Sequence, residues 1–179
     1  EGFPVRARHA VFATGYEMVK ILKRKIVNLN SSFAVISEPL EDFDGWYEKS
    51  LIWETARPYI YARTTSDGRA LVGGQDARYR NPMLRDAKVE KNAEILVRRF
   101  EEMFPRIKFQ AAYAWAGTFG ETVDGLPYIG GVPELPSCYF AAGFGGNGIT
   151  YSEASANIIL DLIQGRYNDD ARIFGFDRH

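Results

Sequence analysis

In the stretch AAGFGGNGITYS, Gly143, Gly145, Gly146 and Gly148 fall within six residues. Glycine this dense costs backbone entropy on folding, so it marks a chain that turns sharply or lets something approach its backbone. Gly143-x-Gly145-x-x-Gly148 also has the spacing of a dinucleotide-binding turn. The amphipathic run behind it would place a helix N-terminus, with its free N–H groups, at the loop. A second pattern is RPYIYAR, where Arg57, Tyr59, Tyr61 and Arg63 alternate with Pro58, Ile60 and Ala62. At strand spacing the first four share one polar-aromatic face, and its guanidinium groups suit a carboxylate. Trp115 and Phe119 in AAYAWAGTF add two aromatic rings that suit a pocket wall. Each pattern also has a purely structural explanation: a ligand-free strand-to-helix turn, an exposed strand surface, core packing. No metal site is expected, and neither His9 nor His179 has a setting that suggests a general base.

The bulk properties narrow the classes. Against 23 acidic residues stand 22 basic ones, and no basic stripe runs along any element, so nucleic acid is not an expected partner. No stretch approaches the roughly 18 apolar residues of a membrane span. Cys138 is the single cysteine, which excludes an internal disulfide framework and fits a reducing, cytoplasmic setting. The first residues lack a signal-peptide layout, and a start at Glu1 without Met suggests a boundary with further residues upstream.

The elements that would position these residues can be read in order. HAVFATG predicts a short buried strand, and SFAVISEPL a second that Pro39 ends. ARPYIYARTTSDGRALVGGQD predicts a hairpin turning at Ser66-Asp67-Gly68. Val89, Ala93, Leu96, Phe100 and Met103 have helical spacing, predicting a helix over 86–104 closed by Pro105. AAYAWAGTF, GLPYIGG and SCYFAAG predict three more strands. A final helix is expected from an N-cap near Ser152 to Gly165, with ARIFGF as the remaining strand candidate. This order predicts two substructures, the second interrupting the first. As an opening dinucleotide fingerprint the glycine loop fails on context. Asp169 and Asp170 stand about the right distance downstream, but they precede ARIFGF where an acidic residue should end a strand.

The blocks VFATGYE, YARTTSDGRALVGGQD, GTFGETVDGLPYIGG and CYFAAGFGGNGITYS resemble, in order and spacing, the FAD-dependent amine and amino-acid oxidoreductases, the family of D-amino-acid oxidase, glycine oxidase and sarcosine oxidase. The resemblance runs from Arg6 to about Gly165. It implies an α/β to α+β fold, with a mixed-sheet substrate domain inserted in part of a Rossmann-like FAD-binding domain. Residues 1–16 and 118–179 would belong to the FAD domain and 17–117 to the substrate domain. Family members open with a strand–GxGxxG–helix unit that this chain lacks, so the resemblance implies the C-terminal half of such an enzyme.

Residue roles follow from the resemblance. Thr14 and Gly15 match a turn near the dinucleotide. Gly145, Gly146, Asn147, Gly148, Ile149 and Thr150 match the loop along the flavin's pyrimidine edge. Asp124-Gly125-Leu126-Pro127 matches a short turn, read as structural. Two departures stand out. Many members place a carboxylate-pairing arginine where Gly117, Thr118 and Phe119 stand here, which moves attention to Arg57 or Arg63. The position of a flavin-tethering cysteine is Gly117, so FAD is expected to bind non-covalently.

The implied activity is oxidation of a C–N bond in a small amine or amino acid, with an amine or N-substituted amino compound favoured over a simple D-amino acid. The other class of reading is a non-catalytic fragment or interaction module that needs a missing FAD-binding half. It would expose apolar surface around HAVFAT and YFAAG and favour self-association.

Overall fold

A computed structural model describes residues 2–79 and 81–178. In chain order the strands are β1 (Ala10–Phe12), β2 (Asn28–Ser37), β3 (Ile52–Trp53), β4 (Ile60–Thr64), β5 (Ala70–Arg78), β6 (Ala111–Glu121), β7 (Tyr128–Val132) and β8 (Leu135–Ala142). The α-helices are α1 (Pro82–Asp86), α2 (Val89–Met103), α3 (Gly148–Ile163) and α4 (Asp170–Phe174). The chain forms two compact units, residues 1–29 with 119–179 and residues 30–118. The second is inserted in the sequence of the first, with the crossings inside β2 and β6, and residues 17–29 fall in the first unit.

The first unit is built on a three-stranded sheet in the order β1-β8-β7. β8 runs parallel to β1, with Ala10 opposite Cys138 and Phe12 opposite Phe140, and antiparallel to β7, with Tyr128 opposite Ala142. Being central, β8 is covered on both faces. Phe140 and Ala142 pack with Met18, Leu22, Val27 and Phe176, while Ala141 packs with Ile129 and with Ile158 and Ile159 of α3. A strand covered on both faces reads as a continuous apolar run, which accounts for SCYFAA. The expected exposure of YFAAG is therefore overturned: Phe140 has no exposed surface and Ala142 almost none. HAVFATG does expose apolar surface, as the fragment reading expects. β1 is an edge strand, and its Ala10 and Val11 are exposed where a buried strand was expected.

Two expectations at the C-terminal end also change. ARIFGF begins a helix, α4, because the Asn168 side chain accepts from the N–H groups of Asp170 (3.0 Å) and Ala171 (3.3 Å). That cap fixes a helical first turn, and Ala171 and Phe174 then pack beside Ile158 and Ile159. Arg178 closes the unit. Its guanidinium donates to Asp124 and to the carbonyls of Leu126, Pro127, Phe174 and Gly175, and lies 3.6 Å from the Tyr128 ring centroid. Asp124 in turn accepts from the Leu126 N–H, the structural turn that the Asp-Gly pair predicts.

The second unit is a five-stranded sheet in the order β3-β4-β5-β2-β6. α2 covers one face, seating Leu96 and Phe100 on Phe33, Val35, Ile60, Ala62, Ala70 and Val72. Its start at Val89, three residues later than expected, reflects the separate short α1. There the Asn81 side chain accepts from the Leu84 N–H (2.8 Å) and Pro82 fills the first turn.

A bulge interrupts β5. Ser31 pairs with Ala77 but Phe33 pairs with Gly74, so β5 carries one residue more than β2 over this span. Gly74 and Gln75 supply the bend, with φ of +134° and +55°. Ala70 and Val72 face α2 before the bulge, and Ala77 packs on the same core after it. The alternation has changed phase. A Cβ on Gly74 would stand 2.2 Å from the Tyr59 carbonyl oxygen, and one on Gly73 would stand 2.2 Å from the Tyr61 ring. Each glycine is required by a close approach. Gly74→Ala is expected to lose about 2–4 kcal/mol of stability from strain and overpacking together. Gly146→Ala, where a Cβ meets nothing within 4 Å, is the control and should stay near wild type. Urea midpoints of the two variants measure the difference, and equal midpoints would show that the bulge tolerates a side chain.

Candidate functional site

The parallel pairing of β1 with β8 decides where the first unit's candidate residues lie. Both strands end at the same edge of the sheet, so Ala13-Thr14-Gly15 leaves β1 beside the point where β8 runs into Gly143. Ligands in α/β sheets bind outside such carboxyl ends. Thr14 is exposed and makes no side-chain capping hydrogen bond, and Gly15 turns the chain with φ +60°.

The glycine loop divides into two kinds of glycine. Gly143 (φ +72°) is packed, since a Cβ there would meet Thr122 at 2.6 Å. Gly145 (φ +54°) bends the chain, and its N–H donates to the Gly120 carbonyl at 3.0 Å. Gly146 and Gly148 have neither reason. Their backbone angles suit any residue, and a Cβ on either would meet nothing within 4 Å. Nothing in the chain's own packing demands glycine at these two positions, which is what a loop lying against a flat group would show.

α3 starts at Gly148, four residues before the expected N-cap at Ser152. Ser152 instead donates to the Gly148 carbonyl at 2.6 Å, from inside the helix. Asn147 holds the N-cap position and makes no side-chain cap. The Tyr151 N–H to the Asn147 carbonyl is the first helical bond, so the N–H groups of Gly148, Ile149 and Thr150 precede the ladder. Ile149 is 93% exposed, so this end of the helix is open. Thr14, Gly15 and Gly145–Thr150 thus converge on one sheet edge, which presents open backbone and the positive end of a 16-residue helix.

The second unit carries the other candidates. Tyr59 and Tyr61 lie on the sheet face opposite α2, their rings 6.5 Å apart, with the Trp53 ring 6.2 Å from Tyr59. The Arg57 guanidinium sits 5.0 Å over the Tyr59 ring, and Arg63 is exposed further along the strand. The Arg99–Glu54 ion pair holds this end of β4, because Glu54 also accepts from the Ile60 N–H and Arg99 donates to the Pro58 carbonyl. Trp115, 43% exposed, is on β6, three strands from β4 and so about 14 Å away. The sheet does not bring it to the tyrosines. Phe119 lies in the part of β6 that belongs to the first unit, and is half-buried.

Sequence reasoning missed Asp76. The phase change at the bulge turns it onto the tyrosine face, where Tyr59 Oη donates to its Oδ2 at 2.6 Å. Its Oδ1 is buried with no hydrogen-bond partner among the described residues. The adjacent Gly73-Gly74 inside a strand was the available signal, since paired glycines there mark a bulge. Other chemistry is sparse. The His9 ring lies tilted against Tyr139 at 5.9 Å, His179 lies outside the described residues, and Cys138 is a half-buried thiol on β8. Among the described residues no cluster of His, Cys, Asp or Glu could hold a metal ion, and no helix is long and apolar enough to cross a membrane.

Residues 1–162 match the family of FAD dependent oxidoreductases. A glycine oxidase of Bacillus licheniformis is 30% identical over 161 residues, covering 89% of this chain and 42% of that protein. Among solved structures, iminodiacetate oxidase from Chelativorans sp. BNC1 superposes with a TM-score of 0.76 at 16% identity, over 97% of this chain and 47% of its own. L-proline dehydrogenase from P. horikoshii gives 0.68 at 21% identity, over 93% and 46%. At these identities the structural matches speak for the fold. The chain belongs to the FAD-dependent oxidoreductase family, and it spans less than half the length of these relatives.

Burial raises the Tyr59 phenol well above its ordinary value of 10.0, and the hydrogen bond to Asp76 and that carboxylate's charge act the same way, against Arg57. Tyr61 is raised too, first by burial and then by Asp76. Folded Tyr59 therefore keeps its proton at a pH where the unfolded chain has lost it. Its contribution is full below about pH 10 and is lost as pH rises toward the folded value. Tyr59→Phe should flatten the alkaline fall in stability, measured by urea midpoints from about pH 8 to pH 11. Identical slopes for variant and wild type would contradict a raised phenol at Tyr59.

Proposed function

We propose that this chain carries the flavin-edge loop and the substrate-recognition face of a flavoprotein that oxidises a C–N bond in a small amine or amino compound. The observation that supports the cofactor half is the convergence of Thr14–Gly15 with Gly146 and Gly148 at one sheet edge, where glycine serves no internal purpose. FAD, when bound, supplies the two-electron acceptor for the C–N bond. The N–H groups of Gly148, Ile149 and Thr150 would face the pyrimidine edge, and the dipole of α3 favours negative charge there. Asn147 adds no charge at this position. By the cysteine route the binding is non-covalent, since Cys138 sits in β8 opposite Ala10 and Gly117 carries no thiol.

For the substrate half, the relatives' names point to glycine, iminodiacetate and proline, all small amino compounds. This chain has Thr118 and Phe119 where a carboxylate-pairing arginine would stand, and Arg85 donates to the Thr118 hydroxyl at 2.9 Å. An amine or N-substituted amino compound fits better than a simple D-amino acid. Residues 1–29 and 119–179, the first unit, are assigned to the flavin domain and the inserted sheet to substrate recognition.

Gly146→Val tests the cofactor half in the full-length protein. A branched side chain on the open side of the loop should weaken FAD binding by at least about tenfold, roughly 1.4 kcal/mol. The melting temperature of the flavin-free protein should stay unchanged, because a Cβ at Gly146 meets nothing. Unchanged flavin affinity in the variant would remove this loop from the cofactor site.

A further inference from the structure

We propose that the second unit carries a binding site for a phosphate monoester with an apolar body, in the cleft where α1 and the start of α2 meet β2 and β5. The cleft lies on the α2 side of the sheet, opposite the tyrosine face, and it does not depend on the C–N oxidation reading. Four observations carry it, all within residues 30–118.

The first is the cavity. It has a volume of about 370 Å³, within the range of small-molecule sites and more than a bare phosphate needs. Phe33 of β2, Ala77 of β5 and Leu84 of α1 give it an apolar wall.

The second is a hydroxyl. Ser31 continues the row of Phe33 and Val35, which face α2, so a polar side chain occupies a core position at this end of β2. The residue is only 3% exposed, and it lines the cleft. Ser37, at the other end of the row, donates to the Glu38 carbonyl (2.6 Å) and accepts from the Ala70 N–H (2.9 Å). The Ser31 hydroxyl has no such bond to a described residue, so its proton is offered to the cleft.

The third is charge. Arg78, Arg85 and Lys88 line the cleft, and no acidic side chain among the described residues does. Arg85 is neutralised by Asp86 at 2.7 Å and donates to the Thr118 hydroxyl at 2.9 Å, which fixes it in the wall. Arg78 and Lys88 have no ion pair among the described residues. Two uncompensated cations match a phosphate monoester dianion better than a carboxylate.

The fourth is the start of α2. Its N-cap residue is Lys88, which lines the cleft and makes no side-chain cap. The Asn92 N–H to the Lys88 carbonyl (3.0 Å) is the first helical bond, so the N–H groups of Val89, Glu90 and Lys91 precede the ladder. This positive end of a 15-residue helix favours an anion. Glu90, the acidic residue of that turn, lines the separate groove between α2 and β6 instead.

The test uses the full-length, flavin-loaded protein, with its cofactor site filled, and three probes: phenyl phosphate, inorganic phosphate and phenol. Calorimetric titration at fixed ionic strength should show phenyl phosphate binding at least about tenfold more tightly than either fragment, since it alone uses both the wall and the charges. Lys88→Ala should weaken phenyl phosphate by at least about tenfold, and Ser31→Ala by a smaller factor. Lys91→Ala removes a cation from the same turn outside the cleft, and should leave the affinity within about twofold. No binding of phenyl phosphate, or phenol binding as tightly, would overturn the site without any variant having to fold. Inorganic phosphate binding as tightly as phenyl phosphate would reduce it to an adventitious ion only. Equal losses in Lys88→Ala and Lys91→Ala would show a diffuse charge effect and overturn it as well.

Discussion

Everything at the sheet edge of the first unit depends on three residues of parallel pairing, Ala10–Phe12 against Cys138–Phe140. Parallel strands need a crossover, and here the chain between them is more than 120 residues long, with the inserted unit inside it. Closing so long a loop is costly in entropy, though the cost grows only logarithmically with length. What offsets it is local: Phe12 stacks on Phe140 at 4.8 Å, and Phe140 is buried among Met18, Leu22 and Phe176. An antiparallel β1 would send Thr14 and Gly15 to the far end of β8. The parallel direction alone puts both turns at one edge.

The second unit has its own deciding irregularity. The Gly73-Gly74 pair solves two separate steric problems, one for the Tyr61 ring and one for the Tyr59 backbone. The bulge then changes which side chains share the open face. Without it Asp76 would be aimed at the core formed by Leu96 and Phe100, where an unpaired carboxylate is costly. The tyrosine face and the hydrophobic core of this unit are thus linked through one extra residue in β5.

Much of this was legible in the sequence. Helix α2, the hairpin at Ser66–Gly68 and strands β7 and β8 follow from periodicity and turn residues, and the interrupted order of elements predicts the insertion. Local signals failed where non-local structure decides. ARIFGF has a strand's composition, yet Asn168 supplies a helix cap three residues before it, and that cap is the signal a pattern of apolar residues overlooks. HAVFATG is apolar but stands at a sheet edge, and edge or centre is a property of pairing that no window reveals. Ser152 is a good N-cap by type, but Gly148–Tyr151 propagate the helix before it is reached.

The same distinction explains why the two candidate regions were unequally visible. A cofactor edge made of backbone needs glycine and a helix start, and both leave a mark in composition at adjacent positions. Gly146 and Gly148 carry that mark because no contact within the chain requires them. A recognition face is made of side chains whose direction depends on strand register, and register is set by pairing with other strands. Arg57, Tyr59, Tyr61 and Arg63 could be placed on one face by alternation alone, because β4 is regular. Asp76 could not, since one bulged residue inverts the count. The carboxylate on this face is therefore the least legible feature of the chain, although it sits two residues from Gly74, where the bulge begins.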